Sequence, residues 1–294
     1  MLRNWLLPGL SGVFISLLLL HPALGQAEKV KGKPPATTTE TAKPTPQDSE
    51  REAQLLLMEG NAAFDRQDYG IAFEKYTAAA DLGDVEAINM IGVMYSTGRF
   101  VDQDVEEALI WYRKAADAGF GTAMFNIGAI YAQSESLGRD PSEAVAWYRK
   151  SAEAGAGLGM MFLGDSYFTG TGVDQDQAEA VAWYQRAADA GLVDAYWRLA
   201  LRYVYGQGVG KDSNHAAELA YEALVSGVEE ARDNLVDARS ADLSINFLKR
   251  VQQLLAEDGF YEGSIDGSFG PQTREAIERA FNSDTEALGA LFGG

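Results

Sequence analysis

The chain has 294 residues, of which 43 are acidic and 24 are basic, so its formal net charge is -19. Because contacts with phosphate need clustered Lys and Arg, this balance excludes nucleic acid as a partner. The chain has no cysteine, which excludes disulfides, thiol nucleophiles, thiolate zinc sites and a lipid anchor on an N-terminal cysteine.

The first 25 residues are typical of an export signal. Arg3 supplies a positive start, residues 13–20 are an apolar run, and Pro22 precedes the small-residue pattern that ends at Gly25. This order predicts a signal peptide that is cleaved after Gly25 or after Ala27. A retained membrane anchor is the disfavoured alternative, because the apolar stretch is short for a bilayer. Either way the body of the protein is expected outside the cytoplasm, and cleavage would make it periplasmic.

Residues 26–50 are rich in Lys, Pro, Thr and Ala and contain almost nothing to bury. Such a composition predicts a disordered tether, since too little apolar surface is present to offset the entropy of ordering the chain.

Residues 51–235 are organised by a period of 36 residues. Glycines recur at this spacing, and tyrosines seven positions before them keep the same register. They are Gly83, Gly119, Gly155, Gly191 and Gly227, with Tyr76, Tyr112, Tyr148 and Tyr184, while Tyr221 comes one residue late. A fixed period of this length predicts a solenoid of stacked supersecondary units.

Each unit reads as a helix, a turn and a second helix, so the fold class is all-α. Ala87, Ile91 and Tyr95 lie on one helical face, and the small Gly92 lets a neighbouring helix approach closely. Aspartates stand just before each second helix, where a carboxylate can cap free amides rather than bind metal. These are Asp104, Asp140, Asp176 and Asp212.

The phrase WYQRAADAG at residues 183–191, with LGDSY at 163–167 and GTGV at 170–173, resembles the Sel1-like repeat, a longer relative of the tetratricopeptide repeat. The resemblance covers residues 51–235 and implies an α-solenoid of about five helix-turn-helix repeats. The opening unit, with its shorter turn, is similar to an ordinary tetratricopeptide unit.

The resemblance implies a protein-binding groove lined by the first helix of each repeat. By analogy with tetratricopeptide repeats, its lining residues lie three before and one, four and five after each first-helix glycine. The predicted groove residues are Asn89, Val93, Phe125, Gln133, Met161, Asp165, Phe168, Trp197, Leu201 and Tyr205. Large apolar side chains of this kind are typical of peptide-binding surfaces. Packing against neighbouring repeats or the C-terminal module is the alternative role for any one of them.

Residues 241–294 follow a different pattern. An apolar-periodic helix at 247–255 precedes the glycine-rich stretch GFYEGSIDGSFGPQT at 259–273 and a helical segment at 274–281. This stretch resembles the peptidoglycan-binding-domain-like family, which implies a small three-helix module. The motif residues that the resemblance assigns to wall binding are Tyr261, Asp266, Gly267, Phe269, Gly270 and Thr273.

The module departs from that family at one point, because the aromatic of its last helix, Phe281, comes one position late. One position turns a side chain by about 100° around a helix, so the glycan site is expected to be altered. Residues 241–281 also carry seven acidic against four basic groups. Binding to an anionic wall would therefore depend on a shaped pocket rather than on net charge.

Nothing in the sequence predicts catalysis, a cofactor or a metal site. His215 is the only histidine that would remain after export, and no stretch is left to house a catalytic domain. We therefore expect a non-enzymatic periplasmic scaffold that binds envelope proteins, such as the outer domains of membrane proteins, and associates with peptidoglycan. The alternative is a periplasmic regulator of a membrane sensor, in which the C-terminal module only caps the solenoid. A wall-cleaving enzyme is the disfavoured third hypothesis.

Overall fold

A computed structural model describes residues 45–134, 138–237 and 243–292 of the chain, with side chains up to residue 283. Every regular element in these ranges is an α-helix, which confirms the all-α prediction. The expected signal peptide, its cleavage site and the greater part of the expected tether lie outside the described residues.

Ten helices form five consecutive hairpins, and the strongest packing is within each hairpin. The hairpins are α1 Pro46–Asp65 with α2 Tyr69–Asp81, α3 Val85–Thr97 with α4 Val105–Asp117, α5 Gly121–Gln133 with α6 Pro141–Glu153, α7 Gly157–Thr169 with α8 Gln177–Asp189, and α9 Asp194–Tyr205 with α10 Ser213–Val225. The second helix of each hairpin packs against the first helix of the next, as a solenoid requires.

The periodic glycines and tyrosines explain how the two helices of a hairpin pack so closely. A Cβ atom built on Gly128 would lie 2.7 Å from the ring of Tyr148, and Gly92 faces Tyr112 in the same way. The Tyr148 ring is 4% exposed, so it has no free space into which it could withdraw. The predicted close approach at Gly92 is confirmed, and the structure identifies the tyrosine as the side chain that needs it.

The aspartates that precede the second helices are N-caps, as predicted. The Asp176 carboxylate accepts hydrogen bonds from the backbone N–H groups of Ala178 and Glu179, each at 3.0 Å. Asp104, Asp140 and Asp212 accept equivalent bonds at the same position of the other three repeats. Each second helix ends before a glycine with positive φ, such as Gly155 at 85°, where a residue with a side chain would be strained.

The first hairpin differs from the others at both its start and its turn. Helix α1 begins at Pro46, inside the segment predicted as tether, because Thr45 and Asp48 form a reciprocal capping box and Pro46 occupies the first turn. The sequence-based boundary at residue 50 is therefore too late. The turn between α1 and α2 spans only residues 66–68, which confirms the shorter turn expected of an ordinary tetratricopeptide unit.

Three further helices follow the solenoid: α11 Glu229–Val236, α12 Ile245–Glu257 and α13 Pro271–Phe292. Helices α12 and α13 both pack against α10, and α11 also contacts α13. One continuous apolar core runs from Phe125 in the third hairpin to Ala280 in α13. The last hairpin and the C-terminal helices therefore share one buried core. The helix that the sequence predicts at 274–281 starts three residues earlier, at Pro271, and continues to Phe292.

Candidate protein-binding groove and wall-binding module

The first helices α3, α5, α7 and α9 present an accessible row of side chains after each packing glycine, whose place in α9 is taken by Ala200. Helix α5 contacts α7 directly, as expected if the first helices lie on the inner side of the stack. Six of the ten predicted groove residues are partly or fully exposed there: Val93, Gln133, Asp165, Phe168, Leu201 and Tyr205. Tyr205, with 43% of its surface exposed, is the most open large side chain of α9.

The other four predicted groove residues are buried: Asn89, Phe125, Met161 and Trp197. All four stand three positions before the packing residue of a first helix, and this position faces the neighbouring repeat. Asn89 accepts a hydrogen bond of 2.9 Å from the side chain of Asn126, and the Phe125 ring lies 4.9 Å from that of Phe162. Phe125 and Trp197 thus lie in the interior of the stack. Their replacement would lower the stability of the protein, so a loss of binding could not be assigned to the groove.

Charged and aromatic groups converge where α7 and α9 lie side by side. The Asp165 carboxylate accepts a 2.7 Å hydrogen bond from the Tyr184 hydroxyl and lies 3.8 Å from Nε of Arg198. Burial and the negative charge of Asp165 raise the pKa of Tyr184, which stays protonated and donates. Arg202 lies one turn beyond Arg198, and its Cζ is 3.7 Å from the ring centroid of Phe168.

Sequence reasoning identified Asp165 and Phe168 but missed both arginines. The 36-residue period could have identified Arg202, because the equivalent positions 36, 72 and 108 residues earlier hold the uncharged Ser166, Ile130 and Met94. An arginine at a position where the other repeats have an uncharged residue is not explained by the repeat pattern.

The predicted wall-binding residues are held together by a buried side chain that the sequence analysis did not single out. Gln252 on α12 is fully buried, and its Oε1 accepts a 2.7 Å hydrogen bond from the backbone N–H of Gly267. Its Nε2 faces the Tyr261 hydroxyl and the Thr273 hydroxyl at 3.3 Å each, and the Ser268 carbonyl at 3.0 Å. Four of the six motif residues are buried: Tyr261, Gly267, Phe269 and Thr273. Most of the motif therefore stabilises the loop and is not accessible to a ligand.

Asp266 is the one fully exposed member of the motif, and Gly270 is partly exposed. The Asp266 carboxylate accepts a 2.7 Å hydrogen bond from the Ser268 N–H and a weaker one from Gln252. These bonds lower the pKa of Asp266, so the side chain is a carboxylate at neutral pH. Asp266 is therefore the motif residue best placed to contact a ligand.

The late aromatic of the last helix has a definite place in the structure. Ala280 is fully buried in the shared core, whereas Phe281 is half-buried and the guanidinium of Arg232 on α11 lies 4.5 Å from its ring centroid. The expected rotation therefore turns the aromatic towards α11.

A second late aromatic also lies at this junction. The hydroxyl of Tyr221, which follows the tyrosine position of the repeat by one residue, donates a 2.6 Å hydrogen bond to Asp258 at the end of α12. Burial and the Asp258 carboxylate raise the pKa of Tyr221, which keeps its proton. Arg250 of α12 also binds Glu218 of α10 at 3.0 Å. The shifted Tyr221 thus joins the last repeat to α12, and the shifted Phe281 lies between α13 and α11.

The described residues contain no helix that is both long enough and apolar enough to cross a membrane. Within the same ranges, no three His, Asp or Glu side chains are grouped as a metal site would need.

Comparison with known families matches both parts of the chain. The Sel1 repeat family matches residues 85–120, 121–155, 157–192 and 193–224, and the putative peptidoglycan binding domain family matches residues 246–280. The first hairpin lies outside these matches. Among curated proteins, none matches the chain significantly.

Solved structures include similar solenoids. A Sel1 repeat protein from Oxalobacter formigenes is 26% identical with a TM-score of 0.55, over 83% of this chain and 88% of that one. The protective antigen c5321 of uropathogenic Escherichia coli, which displays an SLR fold, is also 26% identical with a TM-score of 0.55, over 84% of this chain but 57% of its own. The immunity protein PA5088 of Pseudomonas aeruginosa, 17% identical with a TM-score of 0.53 over 80% of this chain and 82% of its own, shares the fold alone. The chain thus contains four Sel1 repeats and, at its C-terminal end, a putative peptidoglycan binding domain.

Proposed function

We propose that this protein is a non-catalytic adaptor of the cell envelope. Its repeat groove binds a partner protein, and its C-terminal module associates with peptidoglycan. The observation that carries the proposal is the presence of four Sel1 repeats and a peptidoglycan-binding module in one chain, with a shared apolar core between them. Because that core joins the module to the last hairpin, a partner held in the groove would stay at a fixed position relative to the wall.

The proposed location is the periplasm, and the proposed partners are periplasmic proteins or the outer domains of membrane proteins. Two features of the sequence support this location: the export-signal pattern of residues 1–25 and the wall-binding family of residues 246–280.

A second candidate function is a periplasmic regulator that binds the outer domain of a membrane sensor, with the module acting only as a cap of the solenoid. The hydrogen bond between Tyr221 and Asp258 and the stacking of Arg232 on Phe281 favour it. The first contact holds α12 on the last repeat, and the second turns Phe281, the residue that departs from the wall-binding family, towards α11.

Sedimentation with isolated sacculi separates the two candidates. If the adaptor proposal holds, the purified protein pellets with sacculi, and Asp266→Ala reduces the pelleted fraction severalfold because its exposed carboxylate is lost from the motif. Glu262→Gln is the matched control, since Glu262 is an exposed acid four residues away outside the predicted motif, and it should pellet as the unmodified protein does. Protein that stays in the supernatant would reject wall binding and favour the cap.

A further inference from the structure

Arg202 of α9 is a buried cation whose guanidinium the repeat fold satisfies only in part. The residue is 7% exposed, and neither Nε nor Nη1 of its guanidinium has a hydrogen-bond partner. Among the described residues, no carboxylate lies within ion-pair distance of it. The indole N–H of Trp197 on the same helix is likewise buried without an acceptor.

An unpaired guanidinium in this position is costly to the free protein. A buried charge that lacks a counter-charge and hydrogen bonds destabilises the folded state, and here burial lowers the pKa of Arg202. The stacking of its guanidinium on Phe168 recovers only part of this cost. The other repeats fill the same position with Met94, Ile130 or Ser166, so the stack does not need a charge there.

The neighbouring acid, Asp165, favours the charged form of Arg202 but makes no ion pair with it. The Asp165 carboxylate is already engaged by the Tyr184 hydroxyl at 2.7 Å and by Arg198 at 3.8 Å. Glu230 and Asp194 also act on Arg198. Arg198 is thus surrounded by acids, whereas Arg202 feels the charge of Asp165 only from a distance and leaves Nε and Nη1 of its guanidinium without acceptors beside the exposed part of the groove.

We propose that the groove between α7 and α9 binds a peptide segment of the partner protein through a single carboxylate that pairs with Arg202. Phe168 and Leu201, both half-buried groove residues, offer an apolar surface for the side chains beside that carboxylate. A single acid is favoured over an acidic run, because the chain has a net charge of -19 and would repel the latter. The inference rests on the proposed adaptor function and adds the chemistry of the ligand.

The test uses the full chain, immobilised, and three pools of random nonapeptides. One pool has Glu at the central position and an amidated C-terminus, the second has Gln there and the same amide, and the third has Gln with a free C-terminal carboxylate. We expect the protein to retain the first or third pool about tenfold better than the second, the effect of roughly one charge-assisted hydrogen bond. The better-retained pool identifies whether the carboxylate is a side chain or a chain terminus.

Arg202→Met is the variant that tests the assignment, since Met94 already stands at the equivalent position of an earlier repeat. It should abolish the preference for carboxylate while the Gln-amide pool is still retained, and it should raise the thermal midpoint of the free protein. Arg186→Met is the matched control, because Arg186 also stacks on an aromatic ring, Trp183 at 4.0 Å, but on the second helix of its hairpin. It should keep the preference.

The outcomes separate this inference from the proposed function. Retention of no pool by the unmodified protein would reject peptide binding by the groove altogether. Equal retention of all three pools would leave the groove as a peptide site and overturn the carboxylate assignment. A lower thermal midpoint for Arg202→Met would show that the guanidinium is structural, and it too would overturn the inference.

Discussion

At the residue scale, the stack depends on first-helix glycines, because the absence of a side chain leaves room for the tyrosine ring of the second helix. A methyl group at Gly128 would lie 2.7 Å from the buried ring of Tyr148 and 3.1 Å from the Ala144 carbonyl. Neither neighbour can withdraw without opening the hairpin. The same relation between a first-helix glycine and a second-helix tyrosine recurs at Gly164 and Tyr184.

We therefore expect Gly128→Ala to destabilise the protein although alanine is the better helix former. The helix propensity gain is at most about 1 kcal/mol, whereas overpacking costs about 1–3 kcal/mol, so the free energy of unfolding should fall by about 1 kcal/mol. Urea unfolding followed by circular dichroism measures it. Gly210→Ala is the control, because Gly210 has open space around it and an ordinary φ. A stability equal to that of the control would contradict the packing argument.

The sequence predicted both periodic residue types but not that they touch, and it placed Phe125 and Trp197 in the groove when both are buried. Their burial depends on how closely neighbouring first helices approach each other. That distance depends on the packing of all four surrounding helices. It cannot be derived from the spacing of residues within one helix.

At the element scale, the second helices begin where their aspartates cap them. Asp176 accepts two backbone N–H groups at 3.0 Å, so it satisfies donors that would otherwise lack partners at the start of α8. These starts were predictable from sequence, because an aspartate in register before an apolar-periodic stretch is a local signal. The signal for the start of α1 is also local, namely the capping box of Thr45 and Asp48. The sequence analysis did not identify it because it lies within the Lys-, Pro- and Thr-rich residues 26–50.

Removing one such cap should cost about 1 kcal/mol of stability. We expect Asp176→Ala to lower the free energy of unfolding by that amount, with the loss concentrated in α8. Hydrogen exchange of the first-turn amides of α8 would locate it. Asp174→Ala, two residues earlier at an exposed loop position, keeps the cap and should leave both measurements unchanged; an equal loss in the two variants would argue for a general charge effect.

At the scale of the whole molecule, the repeats and the C-terminal module share one apolar core. The family patterns predicted both parts and their order, because each carries its own motif. They did not predict the junction, since Tyr221 and Phe281 depart from those motifs by one position each. In the structure both rings join consecutive elements at this end of the chain: Tyr221 binds α10 to α12, and Phe281 lies between α13 and α11.

The hydrogen bond from Tyr221 to Asp258 should hold α12 on the last repeat. Its carboxylate end is exposed, which limits its contribution to about 1 kcal/mol. We expect Tyr221→Phe to speed hydrogen exchange of the α12 amides about fivefold through local opening. Tyr196→Phe is the control, because the Tyr196 hydroxyl makes no hydrogen bond to the described residues. Unchanged exchange in Tyr221→Phe would mean that the apolar core alone holds the junction.

The 36-residue unit also determines how the length of the solenoid can change. Interior hairpins pack almost entirely against their immediate neighbours, while distinct first and last units close the two ends. A tandem duplication of one interior unit would therefore preserve both ends and lengthen the spine by one step. The side chains on the first helices and the distance from them to the C-terminal module can thus change separately, the first by substitution within a unit and the second by the number of units.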